Sequence, residues 1–389
     1  MKTDWSHKKV VIIIHESTTG PGHDLRDYLL KQGVSRLLFI AHPLLYIAAN
    51  FKNASRYELY KNGKMAKKYT GPYLLLPEYI LYMKDTLISL YWIIRHIGFH
   101  DVFVGVGNLD ALLGVVLKLV GITRQSIYYV IDYVPNRFAN KTMNSLYHRI
   151  EKIAAHHSNW TWNLSPRMIE ARERKWKETF AHQLVVPHGV HSERIKRVPF
   201  SKVHQHETIF MGTLLKKQGV QLVIEAIPLI RKKIPDVSFT VIGDGPYRPS
   251  LEKLTDELAV RSQVTFLGYL EDHRDVENRI AQAAIAVALY NKTDDDFSHY
   301  ADPGKIRNYL GAGVPVLVTD VPYVAREVEE KKCGMIVTYD KYDIARVVIS
   351  LLNNEKMLKQ YRENAVSFAQ SFRWEHLFST ALSHLDLLQ

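Results

Sequence analysis

Short runs of consecutive aliphatic and β-branched residues recur along the chain. Each run gives way to a Gly- or Asp-bearing loop, then to a longer stretch with apolar positions on one helical face. The first run, 10–14, leads into a loop with Gly20 and Gly22 and a helix that turns Leu25, Leu29 and Leu30 inward. Further strands are expected at 36–41, 101–106, 126–131, 159–163 and 184–186, with helices at 78–96, 111–120, 140–157 and 166–178. After a polar stretch at 190–206 the pattern starts again, with strands at 208–212, 237–242, 264–268, 285–289, 314–319 and 334–337. Helices lie between them at 219–232, 247–260, 273–283 and around 305–310, and 341–389 reads as helical. Uninterrupted apolar strands are those buried on both faces of a parallel sheet. Their alternation with helices predicts two doubly wound, Rossmann-like α/β domains.

Two segments depart from this rhythm. Residues 53–70 read as a polar hairpin turning at Asn62-Gly63, a pair suited to a two-residue turn with both residues at positive φ. Residues 73–99 are rich in Leu, Ile, Tyr and Trp. Their aromatics suit a core face or a membrane interface, and the core is the expectation adopted here.

Of 389 residues, 47% are apolar and 23% charged, the balance of an ordinary globular protein. The single cysteine, Cys333, excludes an internal disulfide framework and a cysteine-based zinc site. No apolar run is long enough to span a bilayer. The expectation is a cytoplasmic protein, peripheral to the inner membrane face. The net charge of +11 is uneven: residues 1–190 hold 25 Lys+Arg against 14 Asp+Glu, and residues 191–389 hold 26 of each. A basic first half calls for an anionic partner, such as an anionic membrane face or a phosphorylated substrate. The basic residues are dispersed and carry no nucleic-acid motif, so nucleic acid is not expected.

In open α/β sheets ligands bind beyond the carboxyl ends of strands. That rule selects the loops 15–22, 107–110, 132–136, 212–219 and 243–246, and the helix start at 302–305. Gly20, Gly22, His23 and Asn108 are candidates for the first half's ligand, with His15 flanking the same loop. Asp132, at the end of a buried strand, could orient a hydroxyl or act as a base. Asp302 is a candidate N-cap for the helix that follows it. Lys305, in that helix's first turn and expected to be exposed, puts positive charge where the dipole is already positive, which suggests an anion nearby. Asp294, Asp295 and Asp296 form a charge run, read as solvated and not as a metal site. His188 sits between Pro187 and Gly189 at the expected hinge.

Five segments in order carry a resemblance: GTLLKKQGV at 212–220, IGDGP at 242–246, FLGYL at 266–270, GKIRNYLGAGVPVLVTD at 304–320 and PHGV at 187–190. Together they resemble the nucleotide-sugar-binding half of retaining glycosyltransferases of family 4, which have the two-domain GT-B fold. GPGHDL at 20–25 is a weaker match in the first half. The resemblance implies an acceptor-binding domain over 1–190, a nucleotide-sugar domain over 191–365, and a terminal helix, 366–389, crossing back to the first domain. It places the substrate in the cleft between facing domains. It implies a UDP- or GDP-sugar donor, a glycan or lipid-linked acceptor, transfer with retention, and no cofactor or metal; the alternatives are a catalytically degenerate protein that binds a glycan or partner, and a nucleotide-sugar epimerase of related two-domain architecture. Donor contacts would come from Gly212, Thr213, Lys217, Gln218, Gly243, Asp244, Gly245, Gly268, Tyr269, Leu270, Asp302, Gly304, Lys305 and Asn308, with Asp132 and Lys305 catalytic. Thr213 and Gln218 stand where the family usually has Arg and Lys, and Lys216 or Lys217 could substitute. Tyr300 and Asn308 stand where it often has two glutamates.

Overall fold

In the computed structural model, which describes residues 4–15, 19–43, 54–72, 74, 76–292 and 297–385, the chain forms two compact units. One comprises residues 1–187 with 374–389, the other residues 188–373. Asp294, Asp295 and Asp296 lie outside the described residues.

The first unit runs β1 (Lys9–Ile14), α1 (Pro21–Lys31), β2 (Arg36–Ala41), β3 (Arg56–Lys61), β4 (Lys64–Thr70), α2 (Glu78–His96), β5 (His100–Val106), α3 (Asn108–Leu119), β6 (Thr123–Val130), α4 (Lys141–His157), β7 (Trp160–Asn163), α5 (Pro166–Trp176) and β8 (Gln183–Val185). Its eight strands pair in the order β4-β3-β2-β1-β5-β6-β7-β8. All pairings are parallel except β2 with β3 and β3 with β4. The predicted hairpin is therefore an extension of the main sheet, with Asn62 and Gly63 at positive φ in its turn. Its inner strand is not polar in role: Tyr57, Leu59 and Tyr60 are buried, whereas every residue of β4 is exposed. The core between sheet and helices gathers Val11, Ile13, Leu38, Ile40, Phe103 and Trp92.

Helix α2 has the bounds expected from sequence, but only part of it is core. Leu81, Trp92 and Ile93 are buried, and Tyr79, Met83, Leu87, Tyr91 and Ile94 face outward. The expectation of a core helix fails for that face.

The second unit runs β9 (His204–Met211), α6 (Val220–Arg231), β10 (Ser238–Ile242), α7 (Arg248–Glu257), β11 (Val264–Gly268), α8 (His273–Ala281), β12 (Ala283–Ala288), α9 (Gly304–Gly311), β13 (Val316–Thr319), α10 (Val324–Glu330), β14 (Gly334–Val337), α11 (Lys341–Leu352) and α12 (Glu355–Ala369). All six strands are parallel, in the order β11-β10-β9-β12-β13-β14. Helix α13 (Trp374–Ser383) belongs to the first unit. There Trp374 and Phe378 stack at 4.8 Å, and Phe378 meets Tyr28 of α1 at 5.6 Å.

In each sheet the strand order reverses once, beside β1 and β5 in the first and beside β9 and β12 in the second. Helices following neighbouring strands depart to opposite faces at such a point, leaving a crevice at the carboxyl ends.

Candidate functional site

The second unit's switch point is built from three loops that meet on backbone. The loop after β9 carries Gly212 at φ +146, and the loop after β10 carries Gly243 at φ +121. The two pack face to face: a Cβ on Gly243 would stand 2.1 Å from the Gly212 carbonyl oxygen. Leu214 N–H donates to the Asp244 carbonyl (3.0 Å), and Gly243 N–H donates to the carbonyl of Gly268 at the end of β11 (2.8 Å). Asp244 is exposed and engages its own turn, accepting from Gly245 N–H at 2.7 Å and from Arg248 at 3.0 Å. Tyr269 stands 72% exposed next to Gly268. The predicted residues Gly212, Gly243, Asp244, Gly245 and Gly268 thus share one rim, and at Gly243 and Gly245, where a Cβ would stand 2.1 and 2.5 Å from a carbonyl oxygen, only glycine allows this approach.

Helix α9 enters the same point from the other side, and it does so differently from expectation. Its N-cap is Pro303, and no side chain caps it. Asp302 is not the cap. Its carboxylate is buried and committed to Arg307 (2.9 Å from Nη2) and to the backbone N–H of His188 (2.8 Å). Arg307 reaches on to Glu327 at 3.1 Å and lies over the Phe372 ring at 4.8 Å. Asp302 therefore ties the start of α9 to Arg307 and to the His188 backbone. The His188 ring packs against Gly304, where a Cβ would sit 3.5 Å from it.

Contrary to the expectation of an exposed Lys305, its ammonium is enclosed. Nζ donates to Gln218 Oε1 at 2.6 Å and stands over the rings of Phe210 (4.4 Å) and Tyr290 (5.7 Å). It also lies 2.9 Å from where a Gly212 Cβ would be. Burial lowers its pKa to about 7, while the two ring faces favour the charged form. A cation thus reaches the 212–219 loop from α9, with Gln218 as its anchor. Lys216 and Lys217 sit in a single 3-10 turn, Lys216 exposed. Its carbonyl is used by Gln221 and Tyr339. Thr213 is exposed beside this point, and Asn308 is half-buried one helical turn beyond Lys305.

In the first unit the candidate residues lie at the carboxyl ends of β1, β5 and β6 and in the helices that follow. Gly20, at φ +124, precedes α1. Gly22 is buried, and a Cβ there would meet Ile14 at 2.9 Å. His23 lies inside α1 against Phe39 at 4.8 Å. Asn108 donates to the Tyr147 carbonyl (3.1 Å) and accepts from Leu109 N–H (2.8 Å). Gly22, His23 and Asn108 are buried among these neighbours. Asp132 is exposed just beyond β6. Its loop is pinned through the Pro135 carbonyl, which accepts from His148 (2.9 Å) and Asn144 (2.9 Å).

What sequence reasoning left out of this unit is a buried polar cluster at the β1–β5 switch point. His15, directly after β1, lies 3.0 Å from Asp110 and 3.6 Å from Asp85. Asp85 also meets His42 at 3.1 Å and Lys84 at 2.8 Å, with Ser55 donating to it at 3.0 Å. Desolvation pulls the His15 pKa down, but Asp110 and Asp85 overcome it and push it up to about 10. Desolvation works to raise the Asp85 pKa, and its histidine and lysine partners hold it well below the usual carboxylate range. The signal available in sequence was a histidine ending a buried strand and an aspartate inside an apolar helix.

Comparison with known proteins follows the same division. Residues 191–368 match the family model described as glycosyl transferases group 1. The match lies wholly within the second unit and spans 178 of the chain's 389 residues. Alpha-D-kanosaminyltransferase from Streptomyces kanamyceticus is 27% identical over 159 residues, 40% of this chain and 39% of that protein. GDP-mannose-dependent alpha-(1-6)-phosphatidylinositol monomannoside mannosyltransferase from Mycolicibacterium smegmatis is 27% identical over 90 residues, 21% of this chain and 24% of that one. The chain thus matches well under half the length of these curated relatives. Over the whole chain the GT-B fold is shared. HepE from Anabaena, solved with UDP, aligns with a TM-score of 0.70 at 15% identity, covering 97% of this chain and 99% of its own. Sucrose-phosphate synthase from Thermosynechococcus elongatus aligns with a TM-score of 0.70 at 16% identity, covering 98% of both chains.

Proposed function

We propose that the protein transfers a sugar from a nucleoside-diphosphate sugar to a glycan or lipid-linked acceptor, with retention and without a metal. The observation that carries the reading is the ammonium of Lys305, held by Gln218 over Gly212 at the switch point of the unit that holds the group 1 glycosyl transferase match. As the glycosidic bond breaks, the departing diphosphate gains charge. Lys305 and the first-turn amides of α9 would meet that charge from a fixed position, favouring the transition state over the ground state. The Gly212–Gly243 contact lets main chain approach a diphosphate without side-chain obstruction. Gly268, Tyr269 and Leu270 would meet the base, Thr213 and Asn308 the sugar or phosphate hydroxyls. Asp132 would orient the acceptor hydroxyl. The metal-free reading rests on Lys305 supplying the positive charge.

UDP is the first nucleotide to test, since HepE was solved with it. The expected outcome is calorimetric binding of UDP or GDP at sub-millimolar concentration, and release of that nucleotide from its sugar when acceptor is present. Failure to bind either at millimolar concentration contradicts the reading. A second reading is favoured by Tyr300 and Asn308, neutral where the resemblance puts carboxylates: a catalytically degenerate protein that binds a glycan or partner. It predicts nucleotide affinity with no turnover in the same assay.

A further inference from the structure

The outward face of α2 has no role in the site just described. Tyr79, Met83, Leu87, Tyr91 and Ile94 follow one another at spacings of four, four, four and three, which puts them on one stripe. Their exposures are 61%, 64%, 63%, 62% and 58%. The stripe runs the length of a 19-residue helix whose opposite face is anchored by Leu81, Trp92 and Ile93. A continuous apolar face of this size on a folded unit marks a contact surface.

What surrounds the stripe identifies the occupant. Strand β4 lies beside the end of α2, where its Tyr69 meets Trp92 edge-on at 6.1 Å. Along β4, Lys64, Lys67 and Lys68 are exposed, as is Arg95 on the helix itself. Lys67, Arg95 and Arg36 all act on His96: burial first, and then their charges, lower its pKa. Positive charge is thus concentrated where the apolar stripe ends, in the half of the chain that carries the whole +11 excess. A surface that accepts apolar side chains and carries negative charge satisfies both features. No described helix is long and apolar enough to cross a membrane, so the fit is to a helix lying in the plane of the interface.

We infer that the α2 stripe and the basic margin formed by Lys64, Lys67 and Arg95 dock this protein on an anionic lipid bilayer. The aliphatic side chains enter the headgroup boundary, the tyrosines sit at its polar edge, and the basic groups meet anionic headgroups. The inference does not depend on the donor reading, because it concerns the first unit's outer face alone.

The test is flotation of the full chain with vesicles of phosphatidylcholine alone and of phosphatidylcholine with 30% phosphatidylglycerol. Wild type is expected to float with the anionic vesicles, to stay behind with the neutral ones, and to lose binding as salt is raised. Leu87→Asp/Tyr91→Asp is expected to cut the bound fraction about tenfold, as is Lys64→Glu/Lys67→Glu. Both pairs are exposed, and an unchanged circular dichroism spectrum and melting temperature establish that the variants fold. Wild type that ignores anionic vesicles overturns the proposal, as does flotation equal to wild type in both double variants. A concentration-dependent dimer abolished by Leu87→Asp, with no vesicle binding, reassigns the stripe to a second copy and also overturns it.

Discussion

At the residue scale the most consequential side chain is Lys305. Sequence showed a lysine against the helix dipole but not where its ammonium goes, because that depends on Gln218 and Phe210, distant in the chain. Asp302 was equally opaque: its position suggests a cap, and only the fold reveals Arg307 and the His188 amide on its oxygens. Replacing Asp302 by Ala strands a buried guanidinium with Glu327 as its remaining carboxylate. The expected loss is about 3–5 kcal/mol, the cost of breaking a buried pair from one side, read by urea unfolding. His15 supplies a pH test. Its folded pKa, raised to about 10, lies above the ordinary value of about 6.5. Its contribution to stability is therefore full below pH 6.5, declines as pH rises, and is gone above about 10. The difference in unfolding free energy between wild type and His15→Gln should shrink steadily over that interval. A constant difference would mean that the imidazolium pairing with Asp110 and Asp85 is absent.

At the scale of elements, strands were legible because buried parallel strands announce themselves as unbroken aliphatic runs. β2, β11 and β14 have the bounds read from sequence. Less was legible where an element is short or its environment is not local. Helix α10, seven residues with few apolar positions, gave no pattern to read. Helix α2 was found at its full length, yet its composition could not say which apolar residues face the sheet, since a helix apolar on most sides has no distinctive period. His23 and Asn108 fell in segments correctly located beside strand ends, but their side chains turn into packing. The loop geometry around Gly212 and Gly243 makes a sharp prediction at this scale. Gly243→Ala must push its methyl into the Gly212 carbonyl at a positive φ. Relief requires the two loops to part, so UDP affinity should fall at least tenfold, with a stability loss of about 1–3 kcal/mol. Calorimetry on the folded variant separates the two effects.

At the scale of the molecule, the doubly wound pattern in both halves fixed the architecture before any side chain was placed, and each unit presents a switch point where function was sought. The division of labour proposed for the units is open to a kinetic test. Asp132 belongs to the first unit and Lys305 to the second. Asp132→Asn should lower kcat about 100-fold, the order of a lost general-base or hydroxyl-orienting group, and leave UDP affinity at the wild-type value. A matching loss of UDP affinity would remove Asp132 from the acceptor side.

The account stands most directly on Lys305 as the positive charge that receives the diphosphate. The measurement is UDP binding by isothermal titration calorimetry for wild type and Lys305→Met between pH 6 and 9. With the free lysine titrating near pH 7, wild-type binding should take up protons above that pH and weaken as pH rises. Lys305→Met should bind about 10- to 100-fold more weakly at pH 6, a loss of about 1.4–2.7 kcal/mol, and lose the pH dependence carried by this lysine. Equal affinity and equal pH dependence in the two proteins would contradict it.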